Sequence, residues 1–139
     1  ISVSYLETIN DINSKKFIQF SKDGKENKKK QDLIKYIENL PKNEFIFGVF
    51  KNKRHVANFK ITKKEKELYI GFLVFLKFQG KGIIQKIFSK ILNLKIIKSN
   101  NYHKLNLGVD TKNKRAIKLY KKLGFKYRRN SQKIMYINF

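Results

Sequence analysis

Apolar positions along this chain change period several times, and the changes mark out its elements. Ile1-Ser-Val-Ser-Tyr-Leu6 alternates as a half-buried strand does. Asp11 to Phe20 reads as a short helix with Phe17 and Phe20 on one side, and Ser21 to Lys30 (SKDGKENKKK) as a polar loop. Gln31 to Leu40 puts Leu33, Ile34, Ile37 and Leu40 at helical spacing, and Pro41 supplies the stop. Three runs rich in aromatic and β-branched residues follow, Glu44 to Lys51, His55 to Thr62 and Leu68 to Leu76, parted by polar turns at 51–54 and 63–66. They predict a meander of three strands.

The period then lengthens. Ile83, Ile84, Ile87, Phe88, Ile91 and Leu94 recur at three- and four-residue steps, with Lys86 and Lys90 outside, which predicts an amphipathic helix. Leu105 to Asp110 is a strand. Asn113 to Leu123 is a second helix with Ala116, Ile117, Tyr120 and Leu123 inward, closed by Gly124 at the C-cap position. Tyr127 to Phe139 supplies one or two final strands. The order β-α-α-β-β-β-α-β-α-β predicts an α/β chain in the broad sense, an α+β sandwich. With no internal repeat and no linker, residues 1–139 read as one domain.

Composition narrows the chemistry. At 139 residues and 41% hydrophobic content there is apolar material for a core, which excludes a disordered basic tail. The absence of Cys removes disulfides, thiol nucleophiles and cysteine-based zinc sites. His55 and His103 stand apart from one another, so no metal site is expected. The longest apolar run, Leu68 to Leu76, is far shorter than the ~18 residues of a membrane span. No secretory signal is visible, which points to the cytoplasm, and the chain opens at Ile1 rather than Met, so a few preceding residues are expected.

The net charge of +23 invites a nucleic-acid reading. However, 29 of the 33 basic residues are Lys, Arg numbers only four, and Ala occurs twice, the signature of an AT-rich coding sequence. Scarce Arg weakens the case for base or bidentate phosphate recognition. The distribution is more telling. Residues 1–67 carry a net +7, whereas residues 68–139 carry 17 basic side chains against Asp110 alone, a net +16. The second half has the stronger field for an anionic ligand.

That half also holds the candidate site. Gln79-Gly80-Lys81-Gly82-Ile83-Ile84 follows an apolar strand and opens a helix, where unpartnered N–H groups and the helix dipole favour a phosphate. A Walker loop would end in Gly-Lys-Ser/Thr, but Ile83 follows Gly82. A dinucleotide fingerprint would place glycine where Gln85 stands.

A second segment completes the pattern: Asn113, Ala116, Tyr120, Gly124 and Phe125 match N-x-x-A-x-x-x-Y-x-x-x-G-F. With Gln79-x-x-Gly82-x-Ile84 against Q/R-x-x-G-x-G/A, the chain resembles the GNAT superfamily of acetyl-CoA-dependent N-acetyltransferases. The approach Tyr69-Ile-Gly-Phe-Leu-Val74 is similar to the branch acting on ribosomal proteins and nucleotide sugars. The resemblance implies a mixed, mostly antiparallel central sheet flanked by helices.

It also implies an activity: direct attack of a primary amine on the thioester of acetyl-CoA. N–H groups of Gln79, Gly80, Lys81, Gly82, Ile83 and Ile84 would bind the pyrophosphate. The strand reaching Leu73 and Val74 would splay from Leu107–Val109 and pair with the pantetheine arm. An amide near Val74 would polarise the carbonyl, Asn113 would hydrogen-bond the cofactor, and Tyr120 would protonate the departing thiolate. Two positions depart from the family pattern. Ile84 replaces a small residue beside the phosphate, and Gly108 stands where some relatives carry a glutamate base. Glu67 is the first choice of general base, with Asp110, His55 and His103 behind it.

The acceptor is expected to be a nucleotide-linked amino sugar or a protein or peptide amine, taken by a monomer or homodimer. Polycations are disfavoured by repulsion. Two other readings share the same residues: a non-catalytic basic module binding RNA, DNA or the ribosome, and an inactive acyl-CoA-binding relative.

Overall fold

A computed structural model describes residues 30–98 and 102–139. The expected strand at residues 1–6 and helix at 11–20 lie outside these. The described chain opens with α1 (Lys30–Glu38), followed by the meander β1 (Glu44–Lys51), β2 (Arg54–Lys64) and β3 (Glu67–Val74). Then come α2 (Ile83–Leu92), the four-residue α3 (Lys95–Lys98), β4 (Lys104–Gly108), α4 (Lys114–Lys122), β5 (Lys126–Tyr127) and β6 (Ile134–Asn138).

Six strands form one sheet in the order β1-β2-β3-β4-β6-β5. Every neighbouring pair is antiparallel except β3 with β4. The predicted mixed, mostly antiparallel sheet with flanking helices is therefore the observed fold.

The elements sit where the periodicity places them, with boundary corrections. The strand expected from Leu68 to Leu76 ends at Val74, and Leu76–Phe78 coil into a 3-10 turn. An apolar run has no period of its own at that point; Phe75 N still donates to Val56 O at 3.0 Å, in register with β2, and the chain turns from the ladder only after it. Likewise the helix reaching for Leu94 stops at Leu92, and Leu94 O instead accepts from Ile97 and Lys98 as α3 begins. The α4 helix is bounded as its sequence demands. Asn113 caps its start through Oδ1, which accepts from Ala116 N at 3.1 Å. At its end Phe125 N reaches Tyr120 O and Gly124 N reaches Lys121 O, the paired bonds of a Schellman motif.

Alternation gives the sheet one apolar and one polar face. Phe59, Ile61, Leu68, Ile70, Leu105, Leu107 and Met135 bury against Phe88 and Ile91 of α2 and Ile117 of α4. On the opposite face lie Lys60, Glu67, Tyr69, Asn106 and Arg128. There Lys60 Nζ meets Tyr36 Oη of α1 at 3.2 Å and Glu44 at 3.1 Å.

Candidate active site

The site grows from one irregularity of the sheet. β3 pairs with β2 over its whole length, from Lys64↔Glu67 to Ala57↔Val74. With β4 it makes only two rungs, Leu68↔Leu105 and Tyr69↔Asn106. Beyond Tyr69 and Asn106 the two strands part, so Ile70 to Val74 of β3 run on with no strand partner on that side among the described residues. Leu107 and Gly108 of β4 keep theirs in β6. The sheet is thus split into a V, closed at the Tyr69–Asn106 rung. Its open side exposes main-chain polar groups that an extended ligand could satisfy as an added strand would.

The glycine loop lies at the open end. Gly82 is the N-cap of α2 with φ +69°, and Gly80 has φ +74°, backbone that a Cβ would strain. Lys86 N is the first to find a helical acceptor, Gly82 O at 3.1 Å, so the N–H groups of Ile83, Ile84 and Gln85 point out of the helix start. Gln79 plays two parts in holding this loop. Its N–H closes the 3-10 turn onto Leu76 O at 3.3 Å, and its side-chain amide donates to Val74 O at 3.0 Å. Lys81 is exposed, with Nζ 5.6 Å over the Phe78 ring. Ile83 packs inward against Val56 and Ala57, whereas Ile84 is half-buried.

A residue missed by sequence reasoning joins the loop. The Arg115 guanidinium of α4 lies so close to Gly80 that a Cβ there would sit 2.5 Å from one of its nitrogens. This cation faces the loop across 35 residues of sequence, and only its rarity among so many Lys could have flagged it.

Tyr120 is on the inner face of α4. Its ring stacks at 6.3 Å on Phe72, in the parted stretch of β3, and meets Phe125 edge-on at 5.9 Å. Burial pushes its phenol up to about 12. The hydroxyl is therefore fully protonated through the physiological range. That makes it a held proton donor, though a weaker acid than an ordinary tyrosine.

Three of the candidate bases are engaged by neighbours. The Glu67 carboxylate accepts from Arg128 at 2.8 Å and from Asn106 Nδ2 at 2.9 Å, with Lys104 Nζ at 3.4 Å. Burial alone would raise its pKa, but these donors and charges more than offset that and hold it below the usual carboxylate value. Such a group is a poor proton acceptor near neutrality. His55 bonds Asn58 at 2.6 Å between the rings of Phe50 and Phe75. Asp110 accepts from Lys112 N at 2.7 Å in its own turn, and His103 is exposed.

Asn106 and Arg128 were also missed. Asn106 is wholly buried, and its amide donates to Leu68 O at 3.1 Å and to Glu67 while its oxygen accepts from Arg128 at 3.1 Å. Arg128 further reaches Tyr69 Oη at 3.4 Å. This network spans β3, β4 and the β5–β6 loop at the rung where the V closes.

Among known proteins, the acetyltransferase (GNAT) family model matches residues 6–125. No curated protein matches the chain in sequence. Solved structures share the fold at low identity. A domain from Methanocaldococcus jannaschii DSM 2661 is 23% identical at TM-score 0.74, covering 100% of this chain and 95% of that one. Spermidine N-acetyltransferase SpeG of Vibrio cholerae, as an F149A mutant, is 19% identical at 0.69, covering 99% and 92%. The microcin C7 self-immunity acetyltransferase MccE, in complex with acetyl-CoA and AMP, is 19% identical at 0.74, covering 99% and 85%. Among the described residues no helix is long and apolar enough to cross a membrane. With the match running across most of its length, the chain belongs to the GNAT acetyltransferase family, enzymes that generally draw their acetyl group from acetyl-CoA.

Proposed function

We propose that this chain binds acetyl-CoA in the V and transfers the acetyl group to a primary amine, with a nucleotide-linked amino sugar or a protein or peptide amine as acceptor. The observation that carries the reading is the two-rung β3–β4 ladder ending beside a helix N-terminus built on Gly80 and Gly82. Acetyl-CoA supplies the activated acyl thioester. N–H groups of Gly80 to Ile84 face its pyrophosphate, and Arg115 and Lys81 add positive charge at the loop.

Val74 offers its main chain to the extended arm, while Leu73 turns its own to Asn58 of β2 and lines the arm only as the neighbouring residue; the Val74 amide holds the thioester oxygen. Asn113 spends its side-chain oxygen on capping α4, so its NH₂ is the part left for the cofactor. Tyr120 donates its phenolic proton to the leaving sulfur. Local help is needed, since a phenol near 12 is a weak acid for a thiolate of pKa ~8.5. Glu67 remains the carboxylate at the closed end. Held ionised by Arg128, it suits a charge-bearing role better than direct proton removal, which leaves the amine's proton to water.

The +16 balance of residues 68–139 supports an anionic cofactor and an anionic acceptor over a polycation. Two measurements test the reading: calorimetry with acetyl-CoA, and a thiol-release screen against amino sugars, peptides and polyamines. Saturable binding and turnover with at least one amine are expected. Absence of binding at millimolar acetyl-CoA overturns the reading.

A further inference from the structure

The two strands that part at the V each carry a glycine two residues beyond the closing rung, Gly71 after Tyr69 and Gly108 after Asn106. By the alternation of each strand, both are on the polar face, with Glu67, Tyr69 and Asn106 rather than with the core. Both are exposed, and a Cβ added at either would meet no atom within 4 Å among the described residues. Neither is the left-handed kind that turns demand. Gly71 pairs in register with Lys60 and Gly108 with Ile134, in ordinary strand. No backbone constraint therefore accounts for glycine at these two positions. What they have in common is the space above the V, on the face away from α2 and α4, that no described residue fills next to either glycine.

The floor of that space is a built one. Asn106, Glu67, Arg128 and Tyr69 are joined by bonds of 2.8–3.4 Å, so the closing rung is held from both strands. Above a fixed floor, two bare walls set how much bulk can approach an acyl group lying between β3 and β4. An attacking nitrogen must come within about 3–3.5 Å of the acyl carbon. A terminal amine on a methylene chain is thin and needs little width. An amine on a branched carbon, as on a sugar ring or at a peptide N-terminus, brings substituents alongside it and needs both walls clear.

We infer that Gly71 and Gly108 are specificity-determining residues that admit amines borne on a branched carbon. This rests on the acetyltransfer reading and narrows it to amino sugars or peptide α-amines, at the expense of lysine side chains and polyamines.

The test compares wild type with Gly71→Val and Gly108→Val, using the Ala variants as a graded series. Substrates are acetyl-CoA with a nucleotide-linked 2-amino sugar, a peptide with a free N-terminus, and an N-blocked peptide whose amine is a lysine side chain. Wild type is expected to prefer the branched amines. The Val variants are expected to lose about tenfold or more in kcat/KM for those amines, to lose less for the lysine peptide, and to keep the acetyl-CoA Kd within about twofold. A general loss of folding would move all substrates together, so the ratio between amines is the decisive readout.

Equal losses for all amines, no loss, or a wild-type preference for the lysine peptide overturns the inference while leaving acetyltransfer standing. Loss of acetyl-CoA binding in the Val variants also overturns it, because the space would then belong to the cofactor. A wild type that turns over no amine sinks both.

Discussion

In the proposed transfer, Tyr120 is the residue on which the chemistry most depends. Its burial against Phe72 and Phe125 raises the phenol to about 12, and the sign of that shift has two consequences. An unfolded tyrosine ionises near 10, so between about pH 10 and 12 the unfolded state has released the proton that the folded state retains. Folding stability is therefore expected to fall as pH rises through that window, and Tyr120→Phe should flatten the decline in alkaline denaturation curves. In catalysis, Tyr120 should contribute no alkaline limb below pH 10. Replacing it by Phe should lower kcat by about 10²-fold with little change in acetyl-CoA KM, measured by thiol release. An unchanged kcat would remove Tyr120 from the mechanism.

Glu67 obeys the opposite sign. Its folded-state pKa is depressed, so its contribution is present above the unfolded value and lost as pH falls through the folded one. Acid unfolding of wild type should begin below about pH 4.5, the ordinary Glu range. Glu67→Gln should be less stable than wild type at pH 7, and the difference should shrink as the pH is lowered past that range.

Among the elements, the starts of α2 and α4 do different work with similar means. α4 is capped by its own side chain, and Asn113→Ala should cost about 1 kcal/mol, a fall of about 4 °C in Tm, by thermal melting. No described side chain caps α2; its N-cap is the left-handed Gly82, and its first N–H groups have no acceptor within the helix. Gly82→Ala should cost a similar ~1–2 kcal/mol through backbone strain. It should also weaken acetyl-CoA binding in calorimetry, and by more than Asn113→Ala, which removes one side-chain amide and leaves the loop intact. Binding unchanged by Gly82→Ala would move the anion site off this loop.

The strand that joins these parts is β3. Its apolar residues announced a strand plainly, yet the feature that matters is that its ladder with β4 stops after two rungs. Strand propensity is a property of each segment, whereas parting is a relation between segments 37 residues apart. Asn106 illustrates the limit. In Leu105-Asn106-Leu107 it reads as a solvent-facing polar position, but it is wholly buried because Glu67 and Arg128, 39 and 22 residues away, satisfy its amide.

At the scale of the whole molecule, the +23 charge acts as a field rather than as contacts. If it draws in an anionic cofactor, acetyl-CoA association in stopped-flow should slow steeply as ionic strength is raised. The nucleic-acid alternative predicts instead salt-sensitive binding of RNA or DNA without thioester turnover. The fold itself separates the two roles of the sheet, with α2 and α4 on its apolar face and the polar face, where α1 meets Lys60, on the other side.

Period and punctuation in the chain determined the order of the described elements apart from the four-residue α3, the helix boundaries at Asn113 and Gly124, and the glycine loop before α2. Each of these rests on neighbours within a few residues: side-chain alternation, capping and left-handed glycine. Only the tertiary structure decided that β3 and β4 part after Tyr69 and Asn106, that Arg115 lies against Gly80, that Glu67 is held by Arg128, and that Gly71 and Gly108 border the same gap. Those are meetings between distant segments, governed by burial and the satisfaction of polar groups in three dimensions, and no local pattern encodes them.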